Sequence, residues 1–322
     1  MDTIEKALRK EAEARGESPP TKSKATNQPQ QSAKVITKDT LVRANKAVEK
    51  PTAPVEKSPP VNAQSRRVTS KSVEPESKNR LPAGSPITLN ESVLRSRNII
   101  VPNEERSLAK EQYRHIKRSI LGKAFTQNNT AKGKFSNLVM VTSTEPKEGK
   151  TFTAINLAMS IALEPDRKIL LVDADVVQPS FYSVLDIEPS LGIVDYLSRD
   201  DVPFESILHK TNVKNLSMVL SGSRHHLTNE LLASDSMKRL MNELATRYHD
   251  RIVLLDTPPL CHTTEAAILA SLVGQVIVVV EEGKTTQKHL KEALSLVGSH
   301  PDVSLLMNKC SSAKEGSYYG YY

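Results

Sequence analysis

The feature that most constrains the fold begins near residue 137. Short apolar runs alternate there with stretches of helical periodicity. The runs are 137–142 (NLVMVT), 168–173 (KILLVD), 216–220 (LSMVL), 251–256 (RIVLLD), 275–280 (QVIVVV) and 303–308 (VSLLMN). Helical spacing occupies 150–163, 234–248, 263–272 and 285–299. Several runs are apolar on both faces, which suits strands of a parallel sheet covered on each side. Alternation of this kind predicts a doubly wound α/β domain. Ligands of such sheets sit beyond the carboxyl ends of the strands, so chemistry is sought there.

The first run ends in VTSTEPKEGKTF and passes directly into a helical pattern. Gly149-Lys150-Thr151 is the second half of the phosphate-loop pattern G-x-x-x-x-G-K-[ST], with Thr144 where the first glycine would stand. Backbone N–H groups at a helix start bind phosphate oxygens. Lys150 is expected to reach the terminal phosphates, and the Thr151 hydroxyl to ligate Mg²⁺. Asp173 ends the second run with Asp175 just past it, and Asp256 ends the fourth. Acidic groups at strand ends beside a phosphate loop hold magnesium or its waters, or accept a proton from an incoming hydroxyl. These residues predict a site for ATP and Mg²⁺.

The rest of the chain differs in kind. The formal charge of +7 is uneven: residues 1–100 hold 19 Lys+Arg against 11 Asp+Glu, and the remainder is close to neutral. Every aromatic residue lies after position 112, and 10 of the 19 prolines precede position 101. A segment without aromatics cannot bury enough apolar surface to offset its chain entropy. Residues 1–16 are expected to form a short helix with Ile4, Ala7, Leu8 and Ala12 along one stripe. Residues 17–103 are expected to be a disordered basic tether, 104–310 the folded domain and 311–322 a flexible tail. Without aromatics for base stacking, the tether is not expected to bind nucleic acid specifically. Neither a membrane span nor a secretory apolar core is evident, so a cytoplasmic location is expected. Cys261 and Cys310 have no metal-ligand spacing, and the adjacent His225 and His226 are expected in a surface loop.

Two further segments stand out. In EQYRHIKR, Glu111, Arg114 and Lys117 share one helix face, with Arg118 next to them. The end of the chain, GSYYGYY, places Tyr318, Tyr319, Tyr321 and Tyr322 among small residues, where no core would use them.

The strand-end DAD, Gln178-Pro179, and DTPP at 256–259 resemble the bacterial tyrosine kinases, autokinases of exopolysaccharide and capsule export. The loop Ser143-Thr144-Glu145-Pro146-Lys147-Glu148-Gly149-Lys150-Thr151 is similar to that family's phosphate loop. The resemblance spans about residues 104–322 and implies a P-loop NTPase fold like that of the partitioning and division-site (MinD/ParA-like) ATPases. Those relatives carry a signature lysine at the position of Glu145, which speaks against their activity here. By resemblance, ATP lies on Ser143, Glu145–Phe152 and Asn308. Thr151, Asp173 and Asp256 hold the metal, and Lys150, Asp173 and Asp175 are catalytic. The tail tyrosines are phosphoacceptors for neighbouring subunits, and Glu111, Arg114, Lys117 and Arg118 form a ring contact between copies. The implied activity is ATP-dependent tyrosine autophosphorylation that regulates exopolysaccharide polymerisation or export. A membrane chain-length determinant protein is the implied activator, and membrane association runs through it.

The N-terminal helix and tether resemble the stand-alone autokinases of exosortase-type loci. Val177-Gln178, Thr228-Asn229-Glu230, Glu265 and Gln275 depart from the family's usual residues. Two other readings remain open: an ATPase switch of the partitioning type, and a scaffold that binds nucleotide without kinase activity.

Overall fold

The computed structural model describes residues 34–37, 84–102, 107–125, 135–298 and 300–311. The proposed N-terminal helix and the tyrosine tail lie outside them. Among the described residues, eight strands form one sheet in the order β1-β8-β7-β2-β6-β3-β5-β4. They are β1 (Lys34–Thr37), β2 (Leu138–Ser143), β3 (Lys168–Asp173), β4 (His209–Lys210), β5 (Leu216–Val219), β6 (Arg251–Asp256), β7 (Gln275–Glu281) and β8 (Val303–Asn308). The six central strands run parallel, and the two edge strands are antiparallel to their neighbours. The chain leaves β2 for β3 and β5, returns to insert β6 between β2 and β3, then crosses to β7 and β8. Ligands of open α/β sheets bind where strand order reverses in this way.

Side chains alternate between faces, and both faces are buried. Val139, Val141, Ile169, Leu171, Ile252 and Leu254 point into one core, and Leu138, Met140, Leu170, Val172, Val253 and Leu255 into the other. That explains why the strands are apolar throughout. The first core is covered by α1 (Glu91–Ser96), α2 (Leu108–Ala124), α3 (Lys150–Ala162) and α4 (Phe181–Leu185). The second is covered by α5 (Ile193–Ser198), α6 (Phe204–Ile207), α7 (Thr228–Ala233), α8 (Asp235–Arg247), α9 (Thr264–Ser271) and α10 (Gln287–Leu296). The six strands expected from sequence appear with ends shifted by at most a residue. No helix among the described residues is long and apolar enough to cross a membrane.

Two expectations need correction. The tether was expected to run to residue 103, yet residues 84–102 form an arm packed on the domain. Leu89, Leu94, Ile99, Ile100 and Val101 are buried in the first core. The Ile87 amide donates to the Lys210 carbonyl (2.8 Å), and the Leu89 amide to Asn212 Oδ1 (2.8 Å). The Ile100 amide donates to Asn156 Oδ1 (2.9 Å) on α3, the helix that begins at the phosphate loop. Pro82 and Pro86 mark the segment as linker by composition, but five apolar side chains find a surface that no local pattern announces. Residues 34–37, also assigned to the tether, pair as a strand with β8.

The second correction concerns the charged face of α2. Glu111 pairs with Arg114 (3.4 Å) at the surface, and Arg118 is exposed. Lys117, expected beside them in a contact between copies, is turned inward and 7 % exposed. Its Nζ lies 2.5 Å from Glu164 Oε1 and donates to the Ser160 carbonyl (3.0 Å) on α3. Spacing of three places Lys117 near the Glu111–Arg114 face, but its aliphatic stem follows Tyr113, Ile116 and Ile120 into the core. Gln275, a departure from the family pattern, is structural: its Nε2 donates to the carbonyls of Ser136 (2.8 Å) and Ile120 (3.3 Å).

Candidate active site

Three parallel strands set the site. The register pairs Asp173 of β3 with Asp256 of β6, and Asp256 with Val141 of β2. Both carboxylates therefore lie beside the phosphate loop at the carboxyl edge. The loop leaves β2 at Ser143, whose hydroxyl donates to the Glu145 carbonyl (2.7 Å). Lys147 (φ 68°) and Gly149 (φ 100°) are left-handed, which turns backbone N–H groups toward one concavity as in anion-binding nests. A Cβ at Gly149 would lie 2.0 Å from Asn308 Nδ2. Gly149→Ala is therefore expected to cost about 1–3 kcal/mol of stability from backbone strain, and to weaken nucleotide binding by about 100-fold or more, as a cavity of amides loses its shape. Thermal melting and calorimetric titration with ATP would check both.

Glu148 has a role its position in the loop does not reveal. Its buried carboxylate accepts from the Thr144 amide (2.8 Å), the Glu145 amide (2.9 Å) and the Thr144 hydroxyl. The Thr285 hydroxyl, between β7 and α10, also donates to it. Glu148 thus pins the loop from within, and the amides of Thr144 and Glu145 are spent on it. The Glu145 side chain meets His262 Nε2 at 2.5 Å and His289 Nδ1 at 3.5 Å. Lys309 Nζ donates to the Lys147 carbonyl (2.7 Å), and Asn308 Nδ2 to the Glu148 carbonyl (2.9 Å). Asn308 Oδ1 is buried without a partner. Pro146 and Phe152 are partly buried in the loop and first turn of α3.

Beyond the loop, Lys150 Nζ lies 2.5 Å from Asp175 Oδ2 and 4.0 Å from Asp256 Oδ1. The Thr151 hydroxyl donates to Asp256 Oδ2 (2.6 Å). Asp175 Oδ1 also accepts from the Gln178 amide (3.1 Å). Neither oxygen of Asp173 has a hydrogen-bond partner of normal geometry, nor does Asp256 Oδ1, and all are buried. Burial pushes Asp173 well above the carboxylate range, and the charges of Asp256 and Asp175 add to this. Burial likewise raises Asp256 to about 6, against the pull of Lys150 and Thr151. For Lys150, burial lowers the ammonium's pKa, but Asp256 and Asp175 outweigh it and the net shift is upward.

Buried oxygens left without partners fit a cation and its bound phosphates. Hard oxygen donors suit Mg²⁺, which keeps water and phosphate ligands and needs only one or two protein groups. Among the described residues no cluster of three or more His, Cys, Asp or Glu forms a metal site by itself, so a bound nucleotide would complete the shell. Thr151, Asp173 and Asp256 are the residues placed to hold it.

The structure brings Lys150, Thr151, Asp173, Asp175 and Asp256 together, and it adds Ser180. The Ser180 hydroxyl donates to Thr151 Oγ1 (3.1 Å). The signal for Ser180 was its place one residue after Gln178-Pro179. Nothing local marks Thr285, His262 or His289, which reach the loop from distant elements.

A buried strand, a phosphate loop at a helix start and carboxylates at neighbouring strand ends define a P-loop nucleotide-binding domain. Residues 138–300 match the AAA domain family. The chain is 33% identical over 229 residues to tyrosine-protein kinase YwqD of Bacillus subtilis strain 168, covering 70% of this chain and 91% of that one. It is 29% identical over 155 residues to tyrosine-protein kinase etk of Escherichia coli K12, covering 48% of this chain and 21% of that longer one. The chain belongs to the bacterial tyrosine-protein kinases and is a protein-tyrosine kinase. The solved kinase domain of E. coli ETK shares the fold, with a TM-score of 0.57 at 23% identity over 74% of this chain and 93% of that one. So does the BceF tyrosine kinase domain, with a TM-score of 0.54 at 23% identity over 68% and 88%.

Proposed function

We propose that the chain transfers the γ-phosphoryl group of ATP to Tyr318, Tyr319, Tyr321 and Tyr322 of another copy, and that this cycle regulates exopolysaccharide polymerisation or export. The observation that carries the chemistry is the convergence of Lys150 and three strand-end carboxylates around Thr151. Thr151 and Asp256 would hold Mg²⁺ directly or through water. Magnesium there supplies positive charge against the phosphate oxygens. Lys150 exchanges its Asp175 partner for the transferring phosphoryl group and offsets the charge that develops on it. Asp173, with both oxygens unpartnered, orients the tyrosine hydroxyl and accepts its proton. Phosphoryl transfer is mostly positioning, so the rigid strand end matters more than the basicity of the carboxylate.

Glu145 favours this reading over an ATPase switch, because its side chain is held by His262 and His289 of its own chain. The exposed Arg114 and Arg118, with the half-buried Glu111 paired to Arg114, leave α2 with a face suited to contact between copies, now without Lys117. Each added phosphate brings about 1.5–2 negative charges, enough to loosen an assembly that gathers tails at acidic sites. A membrane chain-length protein of the exosortase-associated kind is the proposed activator. The test is intact mass after incubation with Mg·ATP. The unaltered chain is expected to gain phosphate in successive steps, and a variant with all four tail tyrosines changed to Phe is expected to lose most of that gain. Steady ATP hydrolysis with no phosphotyrosine would favour the ATPase switch instead.

A further inference from the structure

His209 has no part in the site described above. It lies on the edge strand β4, and it is fully buried. Its Nδ1 is 2.9 Å from the Ser85 carbonyl oxygen on the arm, and its Nε2 is 3.0 Å from the Leu191 carbonyl oxygen before α5. Both partners are acceptors only. A neutral imidazole has one N–H and one bare nitrogen, so it can serve one of them, whereas the imidazolium donates from both nitrogens. In the neutral ring a lone pair would face a carbonyl oxygen, and a buried polar atom would go unsatisfied.

The charged groups on the segments around the ring are exposed or engaged elsewhere. Glu205 of α6 pairs with Arg247 (3.2 Å), Asp195 of α5 accepts from the amides of Gly192 (2.9 Å) and Ser223 (3.0 Å), and Lys210 and Glu188 are exposed. The two carbonyls are not held alike. Just past Leu191, the Ile193 amide donates to the Leu220 carbonyl (2.8 Å) and the Val194 amide to the Ser221 carbonyl (3.0 Å). A Cβ at Gly192 would lie 2.2 Å from the Leu220 carbonyl oxygen, so this side is tightly packed. Ser85, by contrast, is exposed. Its neighbours are tied by backbone bonds, Gly84 to Glu205 (2.9 Å) and Ile87 to Lys210 (2.8 Å) and Asn212 (3.3 Å). Residues 84–88 hold no fully buried side chain, while Leu89, Leu94, Ile99, Ile100 and Val101 lie in the core. The start of the arm is therefore the side that yields.

We propose that His209 is a proton-operated clasp: its imidazolium bonds both carbonyls while residues 84–88 are docked, and loss of the proton frees them from the domain. The part of the arm anchored in the core, 89–101, stays in place. Histidine is the side chain that ordinarily changes charge between about pH 5 and pH 8. The docked form needs the proton, so acid closes the clasp and a rise in pH opens it. Opening of this kind is local, because it breaks a few backbone bonds and uncovers little apolar surface.

The experiment is hydrogen exchange of the full-length protein, corrected for intrinsic rates, comparing residues 84–88 with residues 99–101. Between about pH 5.5 and about pH 8.5, protection of the first segment is expected to fall about ten-fold relative to the second. Taking the ratio removes changes in global stability, which move both segments. His209→Gln keeps a donor without a titrating ring, and its ratio is expected to be the same at both pH values. Where that variant fails to fold, the ring nitrogen resonances of isotope-labelled unaltered protein decide: both nitrogens of His209 are expected to carry protons at acid pH. A ratio that stays level or rises with pH overturns the clasp. So does a His209→Gln profile as steep as that of the unaltered chain, or a ring with one bare nitrogen at acid pH while residues 84–88 remain protected.

Discussion

Replacing Lys150 with Met is expected to reduce tyrosine phosphorylation by about 1000-fold, the scale lost when a preorganised charge is removed from developing oxyanions. Lys150 is the only cation of the described residues that touches this cluster: 2.5 Å from Asp175 and 4.0 Å from Asp256. Methionine keeps an unbranched stem of similar length while removing the ammonium. Asp173, Asp175 and Asp256 would then face one another with no internal counter-charge. The folded variant must hold more protons or lose stability, since breaking a buried ion pair from one side costs about 3–5 kcal/mol. Two measurements read the change: single-turnover transfer from labelled ATP, and thermal melting at several pH values. The melting temperature of the variant is expected to rise more steeply on acidification than that of the unaltered chain. Transfer within ten-fold of normal would remove Lys150 from the mechanism.

The second large effect separates stability from activity. Asp256 titrates near 6 in the folded chain, against an ordinary carboxyl value of 3.8. Between those values the folded state holds a proton that the unfolded chain releases, so acid favours folding. This contribution is fully present below about pH 4, and it is lost as pH rises through 6. Its full extent is about 3 kcal/mol, and between about pH 7.5 and pH 5 it amounts to about 1 kcal/mol. Asp173 is displaced in the same direction and adds to the trend. The nucleotide-free protein is therefore expected to melt at higher temperature at pH 5 than at pH 7.5, opposite to a protein whose carboxylates are stabilised by ion pairs. Asp173→Asn or Asp256→Asn is expected to raise the neutral-pH melting temperature and flatten its pH dependence. The same changes are expected to reduce phosphotransfer by about 100-fold or more. ATP with magnesium is expected to stabilise the unaltered chain most at neutral pH, where the carboxylates are ionised. If Asp256→Asn lowers stability at neutral pH, the like-charge crowding inferred at the strand ends is wrong.

Such crowding is a cost kept for function. A structure built for stability alone would not bury two oxygens of Asp173 and one of Asp256 without partners. A bound cation and phosphates would supply the missing contacts.

The arm of residues 84–102 is bonded to the helix that begins at the phosphate loop. The Ile100 amide is bonded to Asn156 Oδ1, and Asn156 Nδ2 donates to the Phe152 carbonyl in the first turn of α3.

Much of this protein follows from one-dimensional pattern. Apolar residues on both faces of successive strands force a parallel sheet between two helical layers, and parallel strands gather their carboxyl ends on one edge. Gly149-Lys150-Thr151 and the aspartates after β3 and β6 had to meet there, whatever the details of packing. Tertiary structure alone decided which carboxylate holds Lys150, since that depends on cross-strand register and on the turn at Gln178. It turned Lys117 inward, because the side chain's direction is set by what α3 offers and not by spacing along α2. It laid the arm of 84–102 on the core, where distant surfaces compensate a composition that by itself favours disorder. It also placed Glu148 and Thr285 against each other across 137 residues, a contact between loops that neither segment encodes alone.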